Sequence, residues 1–158
     1  MDKARIAFLQ AMPIFGGMSE PALETLLGNA RCQQYNVGEN LVLEGDPPGD
    51  IFILEWGQVS VSKTIDDQNF FICYLSRGDC FGEMSLIDPQ SRSATVKATE
   101  LCRAICLGFQ DLHHLRQVDL AQFTLLQLNI AREIARRLRA LESRLFRLMS
   151  DKDCDIPS

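Results

Sequence analysis

The sequence predicts a mainly β fold with flanking helices, and three observations support this class. Between Cys32 and Leu107 the chain consists of short runs of β-branched, aromatic and aliphatic residues separated by glycines. The segments before and after this region carry apolar residues at the spacing of three and four that is typical of helices. With 158 residues, 46% of them hydrophobic and 23% charged, the chain can form one domain with a real core. We therefore expect a single domain, residues 1–158, in which helices flank a compact antiparallel β unit.

Residues 1–30 are predicted to form the N-terminal helices. Apolar side chains follow helical spacing from Ile6 to Met12. Ser19 offers a helix N-cap, and Pro21 fits the first turn of the helix that follows. Gly28 should end that short helix.

Residues 31–108 are divided by turns into short strands. Residues 47–49, Pro-Pro-Gly, mark a turn before the apolar run 51–54. Residues 59–62 alternate as a half-buried strand does, and residues 66–68, Asp-Asp-Gln, separate them from the aromatic run 70–74. This order predicts a β-hairpin.

Residues 109–148 are predicted to form the C-terminal helices, and residues 149–158 a frayed polar tail. Asp119 is the expected N-cap of one long helix that runs to about Leu148. The apolar residues of this helix step by three and four, which is typical of a seam that packs on another helix. We expect a homodimer through the seam residues Ile134, Leu138, Leu141 and Leu145.

Composition argues against several classes of protein. No long apolar run and no signal-like N-terminus is found, so we expect a cytoplasmic protein that does not enter a membrane. The six cysteines show no CxxC and no paired Cys/His spacing, which predicts mostly buried thiols and no metal site. The net charge of −5 disfavours attraction to nucleic acid or to an anionic membrane.

The segment 81–98 has the residue types that bind an anion. Gly82 lets the backbone approach a ligand closely, and residues 83–87 can make one helical turn whose free N–H groups point at an anion. Further along, Arg92 offers a planar guanidinium that can grip two phosphate oxygens. Glu83 would repel a phosphate, so its useful partner is a hydroxyl donor such as a ribose 2′-OH. The segment therefore predicts an anionic ligand that carries a sugar.

This segment resembles the phosphate-binding cassette of the cyclic-nucleotide-binding domain family, with the pattern FGE, a short loop and R-[S/T/A]-A-T-V-x-A. The turns at Gly38-Glu39, Glu44-Gly45-Asp46, Gly57-Gln58-Val59 and Gly78-Asp79 are similar to those of the family in order and spacing. The resemblance covers residues 8 to 148 and extends to catabolite activators, kinase regulatory subunits and cyclic-nucleotide-gated channels. It implies an eight-stranded antiparallel β-roll of jelly-roll type, residues 31–108, with the cassette at 81–98.

The resemblance also implies the roles of single residues. Glu83 would bind the ribose 2′-OH and Arg92 the cyclic phosphate of cAMP or cGMP. The rest of the predicted ligand-binding set is Gly82, Met84, Ser85, Ser93 and Ala94. Ile72 and Leu75 are similar in position to the family's apolar walls around the purine, although the sequence alone would make them core residues. Because Arg92 is expected to lie in an open site, its removal should leave the fold intact.

The favoured function is a regulatory sensor in signal transduction that binds cAMP or cGMP and transmits binding through its last helix to a dimer mate or an effector protein. No cofactor is expected beyond this ligand, and the choice between the two nucleotides stays open. The alternative is a β-roll scaffold or dimerisation module without ligand. An enzyme is disfavoured because no catalytic residues are recognisable as a nucleophile–base or metal-ligand group. The long helix resembles that of the activators, but few residues follow Leu148, so we expect no helix-turn-helix and no DNA partner.

Overall fold

The computed structural model describes residues 3–153, and side chains from 3 to 150. In this part of the chain, eight strands form a roll, and helices precede and follow it in sequence, which confirms the predicted fold class. The helices are α1 (Lys3–Gln10), α2 (Glu20–Leu27), α3 (Phe109–Val118) and α4 (Leu120–Asp153), with short 3-10 helices at Pro13–Phe15 and Glu83–Leu86. The strands are β1 (Arg31–Tyr35), β2 (Asn40–Val42), β3 (Ile51–Trp56), β4 (Val59–Ile65), β5 (Gln68–Leu75), β6 (Cys80–Phe81), β7 (Thr95–Ala98) and β8 (Cys102–Leu107).

The strands form two four-stranded antiparallel sheets. The first sheet has the order β1-β8-β3-β6 and the second β2-β7-β4-β5. The β4–β5 hairpin is closed by Asp66 and Asp67, both at positive φ (50° and 60°), which is the geometry of the two-residue turns that match strand twist. The hairpin predicted at residues 66–68 is therefore confirmed.

Side-chain caps define the helix starts as the sequence predicts. The Ser19 hydroxyl accepts a hydrogen bond from the N–H of Ala22 at 3.3 Å, and Oδ1 of Asp119 accepts one from the N–H of Gln122 at 3.0 Å. Helix α4 is 34 residues long and continues past the predicted end at Leu148 to Asp153. The start of the expected tail is helical because no glycine or proline interrupts residues 149–153. Residues 154–158 lie outside the described part.

The core consists of two clusters that share strand β3. Ile53, with Ile105 of β8, belongs to the cluster that packs against the helices, whereas Leu54 belongs to the cluster inside the roll. Successive side chains of a strand point to opposite faces, so the first sheet is buried on both sides. The helices thus cover one face of the first sheet. The other face points into the roll, where the cavity lies.

The described thiols differ in burial. Cys80, Cys102 and Cys106 are buried, Cys73 is half-buried and Cys32 is exposed, while Cys154 lies outside the described residues. Burial raises the pKa of the Cys80 thiol to about 12. Among the described residues no group of three or more His, Cys, Asp or Glu side chains is arranged to hold a metal ion. None of the described helices is long and apolar enough to cross a membrane.

The turn between β3 and β4 should be intolerant of any side chain. A Cβ on Gly57 would lie 2.4 Å from Cβ of Cys102 and 2.5 Å from the carbonyl oxygen of Leu101, and its φ is 87°. We expect Gly57→Ala to lower the free energy of unfolding by about 3 kcal/mol or more, as a clash adds to the left-handed strain. Gly78→Ala is the matched control, because φ is 92° there but nothing lies within 4 Å of the added atom. It should cost about 1–2 kcal/mol in urea unfolding. Equal losses for the two variants would show that the turn relaxes.

Candidate functional site

The cassette lines a cavity of about 370 Å³ inside the roll. It brings together every residue assigned to ligand binding from the cassette: Gly82, Glu83, Met84, Ser85, Arg92, Ser93 and Ala94. An apolar wall faces them, formed by Val42 of β2, Val61 of β4, Phe81 of β6 and Val96 of β7. A cavity with apolar walls and a few convergent polar groups is the usual form of a small-molecule site.

Gly82 is the position that lets the cassette fold against Arg92. Its φ of 83° is left-handed, and an added Cβ would lie 2.7 Å from Nη1 of Arg92 and 2.7 Å from the carbonyl oxygen of Asp50. Directly after it, the short 3-10 helix Glu83–Leu86 begins. Both the backbone conformation and the close approach therefore require glycine here.

Arg92 supplies one of the two guanidinium groups that line the cavity. Its Nη2 donates to the carbonyl oxygen of Asp50 at 2.8 Å, and its Nη1 donates to the Ser85 hydroxyl at 3.2 Å. Within the described chain no carboxylate lies at ion-pair distance from this guanidinium. Burial lowers the pKa of Arg92, and the nearby carboxylate of Asp50 opposes that shift. A half-buried cation without a counter-ion is suited to bind an anion.

These bonds correct one expectation from the sequence. Arg92 was expected to support little structure without ligand, but it joins Asp50, at the start of β3, to the cassette. The sequence does not reveal the contact with Asp50, because that acceptor is a backbone carbonyl 42 residues away along the chain. Removal of this side chain should therefore weaken the fold as well as the site.

Glu83 is buried, with 4% of its surface exposed, and it is paired with a residue of helix α4. Its Oε1 accepts a hydrogen bond from Nη1 of Arg137 at 2.7 Å. Nη2 of Arg137 also donates to the carbonyl oxygen of Cys80 at 2.7 Å. Burial acts to lower the pKa of Arg137, but Glu83 and other neighbouring groups outweigh it and the pKa is raised. The pair connects the cassette to the last helix.

Arg137 is the site residue that sequence reasoning missed. In the sequence, Glu133 and Arg137 have the i,i+4 spacing that is typical of an ion pair on a solvated helix face, and that pair is present at 3.1 Å. However, the guanidinium extends past Glu133 into the cavity. The available signal was helical periodicity, because Arg137 lies on the same face of α4 as Ile130 and Ile134, which pack against the core.

Ile72 and Leu75 are not brought to the cavity. Leu75 lies opposite Val59 and packs on the core cluster inside the roll. Ile72 is the extra residue where the β4–β5 register shifts between Val61 and Ser62, and it is 41% exposed. Val61, which does line the cavity, is paired with Cys73. A bulge of this kind changes which residues face inward and is not visible in the sequence pattern.

The seam residues of α4 divide into two groups. Ile134 is partly buried and packs against the helical core cluster. Leu138, Leu141 and Leu145 are 56%, 55% and 57% exposed. The second half of the helix thus presents an apolar stripe that nothing in the described chain covers.

Comparison with known proteins agrees with this architecture. Residues 32–119, more than half of the chain, match the cyclic nucleotide-binding domain family. The chain is 31% identical over 101 residues to the cAMP-dependent protein kinase regulatory subunit of Eremothecium gossypii, covering 64% of this chain and 21% of that protein. It is 30% identical over 95 residues to human cGMP-dependent protein kinase 2, covering 59% and 12% of the two chains.

Among solved structures, the catabolite activator protein of Thermus thermophilus superposes with a TM-score of 0.75 at 28% identity, covering 87% of this chain and 63% of that one. The chain thus spans less than two thirds of each of these relatives. The matched segment contains the whole cassette and the roll that holds it. The chain belongs to the cyclic nucleotide-binding domain family.

Proposed function

We propose that this protein is a regulatory sensor that binds cAMP or cGMP in the cavity of the roll and signals through helix α4. The observation that carries the proposal is the half-buried Arg92, which forms no ion pair within the described residues, in the same cavity as the buried carboxylate of Glu83. A ligand that satisfies both must offer an anion and a hydroxyl group in one small molecule. The names of the kinase relatives, one cAMP-dependent and one cGMP-dependent, support a cyclic nucleotide.

Each part of the nucleotide has a counterpart in the cavity. The cyclic phosphate would pair with Arg92 and with the N–H groups of the short helix after Gly82. The ribose 2′-OH would donate to the Glu83 carboxylate. The base would lie against the apolar wall of Val42 and Val96. These side chains can contact any purine, because they form no hydrogen bonds with the polar groups at its edge. The choice between adenine and guanine therefore stays open.

The link to α4 passes through Arg137. This side chain already holds the carboxylate that the ribose would engage, so ligand binding changes the environment of a charged pair anchored in the helix. A shift in the position or order of α4 would then follow from the difference in contacts between the free and bound states. The exposed stripe on the second half of α4 is where a dimer mate or an effector protein would detect that shift.

The proposal requires no catalysis, no further cofactor, no DNA and no membrane. A reducing, cytoplasmic environment suits the free thiols of Cys32, Cys73 and Cys80. One observation favours the alternative of a scaffold without ligand: Arg92 and Glu83 both have partners within the protein. The first experiment below separates these two functions.

Calorimetric titration with cAMP and cGMP should show binding of at least one nucleotide, and Arg92→Ala should weaken it by about 2–5 kcal/mol, because a buried phosphate would lose its cation. Arg92→Lys should recover part of the affinity, since an ammonium supplies charge without the planar fork. Without ligand, Arg92→Ala should also unfold more easily, by about 1–2 kcal/mol, through its lost hydrogen bonds. Arg103→Ala, which removes an ion pair with Glu55 on the roll, is the control. Wild-type protein that binds neither nucleotide would favour the scaffold.

The role of Glu83 is tested with 2′-deoxy cyclic nucleotides. Wild-type protein should prefer the ribonucleotide, and Glu83→Ala should lose this preference, at a cost of about 1–3 kcal/mol for the lost charge-assisted hydrogen bond. Arg137→Ala should reduce the preference as well, because Arg137 orients the carboxylate. In the Glu83→Ala background, Arg137→Ala should have no further effect on it. A Glu83→Ala protein that still distinguishes the two ligands would contradict the assignment.

Self-association through α4 is expected from its exposed apolar stripe. Light scattering should show self-association, and Leu138→Glu with Leu145→Glu should weaken it by removing the part that runs through α4, because the charges would face each other across the seam. Leu128→Glu is the matched control, since Leu128 is exposed on the same helix but lies off the seam. A wild-type protein that stays monomeric at high concentration would mean that the stripe has another role.

A further inference from the structure

Strand β5 is an edge strand without the charge, proline or short length that protect most edges. It lies at one end of the second sheet, with β4 as its neighbour, and it is eight residues long. Its sequence, QNFFICYL, contains no charged residue and no proline. The other edges are shorter: β1 has five residues and includes Arg31, β2 has three and β6 has two. Proteins usually block exposed edges with charge, proline or short length, because a free edge pairs readily with another strand.

The outer face of β5 carries exposed aromatic side chains. Phe71 and Tyr74 are 57% and 58% exposed, and their ring centroids are 4.7 Å apart. They lie opposite Ser62 and Ser60 of β4, on the face away from the cavity. Two residues three apart in a regular strand would point to opposite faces, so it is the register shift at Ile72 that places both rings together. The free edge and the aromatic pair thus belong to one strand, whose Phe and Tyr residues have high β propensity.

We propose that β5 pairs in antiparallel fashion with β5 of a second copy of this chain, which would join the two second sheets into one. An uncharged strand does not repel its own copy, whereas a charged edge would. Antiparallel pairing about a two-fold axis lets the outward N–H and C=O groups of each strand satisfy those of the other. The aromatic pairs of the two copies would then lie side by side on the joined sheet.

The charges at the two ends of β5 favour the antiparallel arrangement. The turn before β5 carries Asp66 and Asp67, and Arg77 follows its end. Antiparallel pairing centred on the strand places the acidic turn of each copy beside Arg77 of the other, whereas parallel pairing would place like charges together. Arg77 is held in position over the ring of Phe8, with Cζ 4.5 Å from the ring centroid. The antiparallel pair therefore has two contacts of opposite charge, one at each end of the paired strands.

The proposed contact uses no residue of the cavity lining and none of the exposed stripe residues of α4. Phe71 and Tyr74 do not line the cavity, so loss of nucleotide binding would not affect this proposal. To observe the edge alone, sedimentation velocity is measured in the full chain carrying Leu138→Glu and Leu145→Glu, which blocks the apolar stripe of α4. This background protein should still associate in a concentration-dependent manner. A background protein that remains monomeric up to millimolar concentration would overturn the proposal.

A charge swap at Phe71 identifies the symmetry of the contact. Phe71 lies at the centre of β5, so an antiparallel pair brings Phe71 of both copies close to the two-fold axis. Phe71→Lys and Phe71→Glu should each raise the dissociation constant at least tenfold, because like charges would meet there. Mixed in equal amounts, the two variants should associate again, close to the level of the background protein.

The mixing step separates a surface effect from damage to the fold, since two unfolded or loosened variants would not rescue each other. Val37→Lys is the control, because Val37 is 68% exposed in a loop away from β5, and it should leave association unchanged. Restored association only in the mixture supports the β5 pairing. Failure of the mixture to associate, or an equal loss with Val37→Lys, would overturn it.

Discussion

The guanidinium of Arg92 holds the cassette against the start of β3, and the cavity depends on this contact. Its bonds to the Asp50 carbonyl and the Ser85 hydroxyl close the space between two segments that are distant in sequence. Gly82 is needed because the guanidinium and the Asp50 carbonyl occupy the volume of a side chain. In the proposed function the same group is the cation that pairs with the phosphate. Ligand recognition and folding of the cassette would then share one residue, and a change at this position would affect both.

A second charged contact ties helix α4 to the roll. Glu83 and Arg137 form an ion pair in which the carboxylate is buried and the guanidinium is half-buried. Such a pair contributes little net stability on average, since desolvation offsets the attraction, but loss of one partner is costly. The pair thus specifies where the helix lies more than it stabilises the fold. This property would suit the role proposed for α4, which is to change position when a ribose hydroxyl group approaches Glu83.

Much of the fold can be predicted from the sequence because it depends on local rules. The caps at Ser19 and Asp119 and the two-residue turn at Asp66 are set by residues close in the chain. The cassette residues also come together as predicted, since they follow one another along one segment. Arg137 and the wall around Val61 were not predicted, because they depend on how a helix rotates and on a register shift in β5. The register shift has no signature in the sequence pattern, and helical periodicity indicates the face on which Arg137 lies but not its partner.

Strand β3 contributes to both core clusters, through Ile53 on one side and Leu54 on the other. The two core clusters therefore share a strand and should unfold together. Loss of packing in the helical cluster would remove contacts that support the roll. The molecule should behave as a single cooperative unit, in which ligand that stabilises the roll also protects the amides of α1 and α2 from solvent exchange. Nucleotide binding would then slow amide exchange in the N-terminal helices, although these helices lie away from the cavity.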